Sequence, residues 1–179
     1  MNLSPKNLGY FITALLLSVV LVRIFVLDSF TVQGNSMAPT IVDGDYVFLS
    51  KLSYMFKKTP KRDDIVVFNF RELSHTKVVK RVKGLPSEWV VIEGSVIAIK
   101  NERDSELTNA GSLYDSSFND HREGVSSTYR LDPYEYFLIG DNGLGSVDSR
   151  ELGPVDVYKI DGRVIVSFRL SEFKLRFFK

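Results

Sequence analysis

The chain has 179 residues, which is enough for one domain or for one domain with a membrane anchor. Hydrophobic residues make up 44% of the sequence, so a packed core is expected and a disordered chain is excluded. A net charge of +1 gives no strong field toward nucleic acid, and the lack of cysteine excludes a disulfide scaffold, a zinc–thiolate site and a cysteine nucleophile.

The first predicted element is an almost wholly apolar segment over residues 8–27, in which Arg23 is the one charged residue. Its 20 residues match the length of an α-helix that crosses a bilayer core of about 30 Å. An arginine near one end can extend its guanidinium to the lipid headgroups. We therefore predict a transmembrane helix within a membrane anchor of residues 1–28. A cleaved secretory signal peptide and a buried core helix are the alternatives, and the first lacks a following cleavage site of small residues.

The charges that flank this segment predict its orientation. Lys6 and the amino terminus are positive, and no acidic residue precedes Asp28. This pattern favours a cytoplasmic N-terminus and an extracytoplasmic domain over residues 29–179, although basic residues between 51 and 62 weaken the preference. The predicted localisation is the inner or plasma membrane, with a single pass.

Beyond residue 28 the sequence changes to short runs of Val, Ile, Phe and Tyr separated by turn residues. Such runs predict a mainly β fold class, with an antiparallel β domain. Glu93-Gly94 predicts a hairpin, and Asp161-Gly162 predicts another turn. The predicted strands cover residues 30–34, 45–52, 64–70, 77–85, 89–92, 96–100, 134–139 and 163–169.

Two segments fit this pattern less well. Residues 101–133 form a polar excursion within the domain, read as a long surface loop or as a loop with one hairpin of its own. The tail over residues 171–179 mixes Phe with Lys and Arg. It is interpreted as a last helical turn or strand that packs on the domain, or as a contact with the membrane surface.

Ser36 lies in a predicted tight bend between Gly34, which ends a strand, and Pro39, which restricts the backbone. A serine at such a bend can present its hydroxyl to a cleft with backbone N–H groups nearby, as an oxyanion hole requires. The alternative is a turn serine that hydrogen-bonds its own backbone, which is the commoner case on local features alone.

Lys80 lies in the predicted strand over residues 77–85. Because side chains alternate across a strand, Val78, Lys80 and Val82 share one face, on which Lys80 is the single charge. Burial lowers the pKa of a lysine from about 10.4 toward the ~7–8 at which it acts as a base near neutral pH. The alternative is an edge strand whose lysine extends into water.

A loop rich in glycine and short polar side chains follows the predicted strand over residues 134–139. Asp148 and Arg150 can form an ion pair that makes this loop rigid. Ser146 can orient a neutral lysine, as the third member of a nucleophile–base–orienter arrangement. A turn without catalytic function is the alternative.

Four motifs follow one another along the chain: GNSMAPT from residue 34, DGDYV from residue 43, KRVKGLP from residue 80 and GDNGLGSVDSRELGPV from residue 140. Together they resemble the motifs of the type I signal peptidases, the Ser–Lys dyad proteases of peptidase family S26, and the short Ile160-Asp161-Gly162-Arg163 run is also similar. The resemblance covers roughly residues 8–100 and 134–169, and it implies Ser36 as nucleophile and Lys80 as general base, without metal or cofactor. It implies supporting positions at Gly34, Ser146, Asp148 and Arg150.

This resemblance implies a substrate and a reaction. The substrate is a translocated preprotein whose signal peptide binds in an extended conformation, and the cleavage site has small residues at the first and third positions before the scissile bond. Two shallow apolar pockets select them, and cleavage proceeds through an acyl-enzyme. Membrane lipid is the second expected partner, and no nucleic acid is expected.

The sequence departs from the family pattern at three glycines. Gly143 and Gly145 stand where many members have arginine and asparagine, which puts the fine geometry of the loop in question. Gly34 stands where some members have a serine that assists the oxyanion hole, so here the hole rests chiefly on the Ser36 backbone N–H. Neither histidine, His75 or His121, has the sequence context of a triad base.

Two alternatives to a general signal peptidase remain at this point. One is a specialised peptidase of the same family that matures a conjugation or pilus protein. The other is a non-catalytic, membrane-anchored β domain that binds an extended peptide.

Overall fold

The computed structural model describes residues 4–54, 58–69, 77–93, 96–100, 108–109, 126–143 and 145–178. His75, His121, Gly94 and most of the polar excursion lie outside these residues. Two antiparallel sheets account for nearly all the described secondary structure after residue 26, so the predicted mainly β fold class is confirmed.

The chain begins with one long helix, α1 (Pro5–Phe25). Its proline stands at the first helical position, where a missing backbone N–H does no harm. Large apolar side chains of α1 are exposed, among them Tyr10, Phe11 and Leu16. Within the described part of the chain, no helix combines the length and the apolar character that a membrane crossing needs. The structure thus shows a helix where one was predicted and does not show that it spans a membrane.

The first four and the last four strands of the chain form the larger sheet, and the four strands between them form the smaller one. The larger sheet has the order β1-β2-β11-β3-β4-β9-β10, with β12 beside β11, and the smaller has the order β7-β6-β5-β8. The strands are β1 (Leu27–Thr31), β2 (Tyr46–Ser50), β3 (Ile65–Asn69), β4 (Lys77–Gly84), β5 (Trp89–Glu93), β6 (Val96–Lys100), β7 (Thr108–Asn109), β8 (Ser126–Arg130), β9 (Glu135–Ile139), β10 (Val155–Asp156), β11 (Ile160–Arg169) and β12 (Lys174–Phe177).

Each predicted strand overlaps an observed one, with bounds that differ by up to three residues. The predicted hairpin is also confirmed, because β5 and β6 pair antiparallel with Glu93 opposite Val96. The tail, whose structure the sequence left open, forms β12 after a short 3₁₀ helix, Leu170–Glu172. Strands β7, β8 and β10 and the one-turn helix α2 (Ser149–Leu152) were not predicted.

The turn predicted at Asp161-Gly162 is wrong, because both residues lie within β11. The β11–β3 register shifts between Ile160 and Gly162, so the pair lies at an irregularity in the ladder. A Cβ atom on Gly162 would lie 2.5 Å from the carbonyl oxygen of Ser50 on β2. The glycine therefore permits close strand pairing where the sequence pattern indicates a turn.

Strand β4 is an inner strand, paired with β3 on one side and β9 on the other. The alternative of an edge strand is therefore excluded. Val78 and Val82 pack in the same apolar cluster as Val66 and Leu138. Lys80 lies between these two valines and directly opposite Val66, so β4 places its ammonium group at the border of a core.

Candidate active site

The structure brings together the two residues predicted to carry the chemistry. Lys80 Nζ lies 2.7 Å from Ser36 Oγ, a hydrogen-bond distance, although 44 positions separate the residues in sequence. Ser36 is half-buried, whereas Lys80 is 2% exposed. A half-buried hydroxyl thus meets an amine that solvent hardly reaches.

Burial determines the basicity of this amine. Desolvation lowers the pKa of Lys80 from 10.5 to about 8, with the Asp148 carboxylate opposing the shift and the Arg150 guanidinium adding to it. The Asp141 carboxylate also opposes it. A lysine with a pKa of about 8 is partly neutral near neutral pH and can accept a proton from a hydroxyl.

A network of short-range hydrogen bonds fixes the bend that carries Ser36. Gly34 has a φ of 86°, a conformation that favours glycine, and its N–H donates to Asp43 Oδ1 at 2.7 Å. The Asp43 N–H donates in turn to Asn35 Oδ1 at 3.1 Å. Gly34 therefore shapes the bend, and its amide is occupied by a carboxylate instead of facing a substrate.

The backbone N–H of Ser36 has no acceptor within the described residues. Its carbonyl oxygen accepts a hydrogen bond from the Asn142 N–H at 3.0 Å, and the Asn142 side-chain amide donates to Asn35 O at 3.0 Å. The glycine-rich loop thus holds the nucleophile bend by its backbone and leaves the Ser36 N–H available to a ligand.

Asp148 organises that loop. Its carboxylate is 1% exposed and accepts hydrogen bonds from Gly140 N–H at 2.9 Å, from Ser146 Oγ at 2.7 Å and from the Arg150 guanidinium at 2.8 Å on each oxygen. Although burial opposes ionisation, these donors hold the pKa of Asp148 below its usual value. Arg150 also donates to Gly143 O at 3.1 Å. The predicted ion pair is therefore present, and it ties the two ends of the loop together.

Ser146 lies at the centre of this arrangement without touching the lysine. Its hydroxyl donates to Asp148, and the described residues include no hydrogen bond between Ser146 and Lys80. A Cβ atom on Gly140 would lie 2.2 Å from Ser146 Oγ and 2.5 Å from Ser36 O. Only a glycine at position 140 lets the loop approach the bend that carries Ser36 this closely. The predicted role of Ser146 in orienting Lys80 stays a prediction.

Several residues that support the site were not singled out from the sequence. Arg81 and Asp141 form a bidentate pair at 2.7 and 2.6 Å, which joins β4 to the start of the loop. Arg176 on β12 donates to Thr40 O at 2.6 Å and Pro39 O at 3.3 Å. Asp141 lies within a quoted motif, so it could have been suspected, whereas nothing local marks Arg176.

Comparisons with known proteins relate this chain to a family and to individual relatives. A family model described as "Signal peptidase, peptidase S26" matches residues 6–169. Signal peptidase I of Bacillus caldolyticus is 32% identical over 170 residues, which cover 87% of this chain and 86% of that protein. Signal peptidase I T of Bacillus subtilis (strain 168) is 34% identical over 148 residues, which cover 79% and 73% of the two chains.

A crystal structure of a signal peptidase I from Enterococcus faecalis V583 was also found. It aligns with a TM-score of 0.47 and 24% identity, over 59% of this chain and 97% of that one.

Proposed function

Because the chain belongs to the signal peptidase family, peptidase S26, we propose that it is a serine endopeptidase that removes N-terminal signal peptides from preproteins, with Ser36 as nucleophile and Lys80 as general base. The observation that carries this assignment is the 2.7 Å separation of Lys80 Nζ and Ser36 Oγ at an amine with a lowered pKa. A buried amine beside a half-buried hydroxyl is the pair that such a dyad needs.

The first half of the reaction forms an acyl-enzyme. Neutral Lys80 takes the proton from Ser36 Oγ as the oxygen bonds to the scissile carbonyl carbon. The resulting oxyanion is stabilised by backbone N–H donors, of which the free Ser36 N–H is the first candidate. When the C–N bond breaks, the Lys80 ammonium group gives its proton to the leaving amine, and the signal peptide remains as an ester on Ser36.

The second half releases the signal peptide. Neutral Lys80 takes a proton from water, whose oxygen bonds to the ester carbon. The bond between carbon and Ser36 Oγ then breaks, and the proton returns from Lys80 to the serine oxygen. Asp148 and Arg150 act as positioning residues, because they touch the loop that holds the Ser36 bend.

The surroundings of the dyad support an extended substrate with small side chains. β1 is the outermost strand of the larger sheet, and the chain runs from its last residue, Thr31, to Ser36 in five steps. An edge strand offers backbone groups to which an extended peptide can add. Met37 and Val79, the sequence neighbours of the dyad, are buried and apolar, which is consistent with a substrate whose side chains beside the dyad are small and apolar.

The full chain in detergent should cleave a preprotein at one bond that follows alanine, with alanine also two positions earlier. Replacing the alanine directly before the cleaved bond by phenylalanine should lower kcat/KM at least about 100-fold, because the shallow pockets that the family resemblance implies do not admit an aromatic ring. Mass spectrometry of the products measures both rates. Equal cleavage of the two preproteins would contradict the proposed substrate class.

We also propose that α1 anchors the chain in a bacterial inner or plasma membrane, with residues 1–28 as the anchor and residues 29–179 outside the cytoplasm. The sequence from residue 8 to residue 22 contains no charged residue, and this uninterrupted apolar segment supports the proposal. A helix that exposes Tyr10 at 76% and Leu16 at 61% is unfavourable in water.

One face of the larger sheet supports the same attachment. Cross-strand neighbours lie on the same face of a sheet, and register places Phe48, Val166 and Phe177 in one row and Tyr46, Phe168 and Leu175 in the next. The two outer residues of each row are exposed, by 38% to 72%. An apolar patch of this kind favours contact with a lipid surface, and we call these two rows the apolar face.

Two arginines on α1 should release the protein from membranes. Leu16→Arg together with Val19→Arg introduces charges near the helix centre, each unfavourable by about 3 kcal/mol in a membrane. Alkaline carbonate extraction should leave the unmodified chain in the membrane pellet and move the double variant to the supernatant. Tyr158→Arg is the matched control, since Tyr158 is an 81% exposed aromatic residue outside α1. Retention of the double variant in the pellet would refute the anchor.

A further inference from the structure

A polar cavity of about 450 Å³ lies apart from the dyad, beside the 3₁₀ helix Lys51–Tyr54. Among the described residues, three cations line it, Lys58, Lys61 and Arg163, against one carboxylate, Asp64. The two lysines are exposed, and neither ammonium group has a carboxylate partner within the described residues. The cavity therefore carries an excess of positive charge.

The single carboxylate of the cavity is already satisfied. Asp64 accepts hydrogen bonds from the Tyr54 hydroxyl at 3.0 Å and from the Lys61 backbone N–H at 2.9 Å. Arg163 Nη1 lies 3.4 Å from its other oxygen. Because Asp64 is buried and fully engaged, it does not neutralise the two lysine side chains at the cavity rim.

Arg163 provides a donor that lacks an acceptor. Its Nε is buried and has no hydrogen-bond partner in the described structure. A buried unpaired donor is unfavourable and is rare in native proteins unless a ligand satisfies it. The cavity is thus lined by the arginine that carries this unpaired donor and by two lysines without a carboxylate partner among the described residues, together with Ser53 and Thr59. This is the donor set that a phosphate group requires.

The cavity lies where α1 enters the domain. The Lys51 N–H donates to Val26 O at 2.9 Å, so the 3₁₀ helix that lines the cavity begins beside Val26, the residue that follows α1. Arg163 pairs with Ser50 in register, and Ser50 shares its side of β2 with Phe48. Arg163 therefore lies on the same side of the sheet as the apolar face, at the end of β2 next to Val26.

We propose that this cavity binds the phosphate headgroup of an anionic phospholipid and so fixes the domain on the membrane surface. The proposal rests on the proposed attachment through α1, which places a lipid surface beside the cavity. Free phosphate offers the same oxygens, but the neighbouring apolar face favours a phosphate that carries acyl chains. Polybasic segments beside a membrane anchor are attracted to anionic headgroups in the same way.

Native mass spectrometry of the full chain, released from a neutral detergent, tests this site with two lipid probes. The unmodified chain should retain phosphatidylglycerol in preference to phosphatidylcholine. Lys61→Gln with Arg163→Gln should weaken phosphatidylglycerol binding roughly 30-fold, because two cations near an anionic lipid are removed. Binding of phosphatidylcholine should not change. An unchanged ratio of the two lipids in this variant would overturn the proposal.

Two further variants separate binding from folding. Lys58→Gln with Lys61→Gln alters exposed side chains that form no ion pair within the part of the chain that the structure describes, and it should weaken phosphatidylglycerol binding to a similar extent. Lys100→Gln, on β6 of the smaller sheet, is the matched control and should bind as the unmodified chain does. If Lys100→Gln weakened binding equally, the effect would be one of net charge and the cavity would be excluded.

Competition with inorganic phosphate distinguishes a phospholipid headgroup from free phosphate as the ligand. Phosphatidylglycerol that remains bound in equimolar inorganic phosphate supports a lipid site, and its complete displacement assigns the cavity to the free ion instead. Failure of the anchor appears in carbonate extraction, and failure of the peptidase function appears in preprotein cleavage. Neither of these failures changes the preference for phosphatidylglycerol over phosphatidylcholine. The peptidase function, the anchor and the lipid site can therefore be refuted separately.

Discussion

Ser36→Ala and Lys80→Met are each expected to lower kcat/KM for preprotein cleavage by at least about 10⁴-fold, the loss seen when a member of a nucleophile–base unit is removed. Alanine removes the attacking oxygen. Methionine keeps the length of the lysine side chain and removes the amine that lies 2.7 Å from that oxygen. Cleavage of a labelled preprotein in detergent, followed by electrophoresis, measures the effect.

Each variant has a matched control. Lys83 lies on the same strand as Lys80, is likewise buried at 7% exposure, and pairs with Asp63 at 2.6 Å instead of with a hydroxyl. Lys83→Met should therefore keep most of the activity. Ser171→Ala changes an exposed serine far along the chain and should have no effect.

Because nucleophile and base act as one unit, the double variant of Ser36 and Lys80 should be no worse than either single variant. Substantial cleavage by either single variant would refute the dyad.

Strand periodicity predicted that Lys80 shares a face with Val78 and Val82, whereas the choice of a buried lysine over an edge lysine came from the family resemblance. A charged residue between Val78 and Val82 must either enter the core or lie at an edge, and the structure shows the first case. The opposite side of β4 was not predictable in the same way. Lys77 and Arg81 suggest a solvated face, yet each pairs with a carboxylate that is distant in sequence, Asp28 and Asp141. Long-range ion pairs have no local sequence pattern.

The structural reasons for two glycines were likewise not predictable from the sequence. The pair Asp161-Gly162 has the composition of a turn, and the structure uses it for close approach of β11 to Ser50. Gly140 was read only as part of a loop, although its missing side chain is what allows the contact with Ser36. A sequence shows that a glycine is present, whereas the reason for it depends on which backbone lies opposite.

Activity should rise with pH to a plateau above about pH 8 and fall about tenfold for each pH unit below it, as measured by kcat/KM on a peptide without titrating groups. The cause is the base: desolvation holds the pKa of Lys80 at about 8, so below that pH the amine carries a proton and cannot accept another from Ser36. The neighbouring Asp148 does not produce this inflection, because its donors keep it ionised throughout the range. A rate that is flat between pH 6 and pH 9 would exclude a lysine base with this pKa.

The pH dependence of the free energy of unfolding tests whether this proton belongs to Lys80. The unfolded chain holds this proton up to pH 10.5, whereas the folded chain releases it at about pH 8. The unfolded state therefore binds more protons between these values, and the free energy of unfolding rises with pH across that window. A difference of 2.5 between the two pKa values corresponds to about 3 kcal/mol. Urea denaturation should show this gain in the unmodified chain and not in Lys80→Met, since other titrating groups cancel in the comparison. Parallel pH dependence of the two proteins would show that the ammonium group is not desolvated, and the dyad would then lack its base at neutral pH.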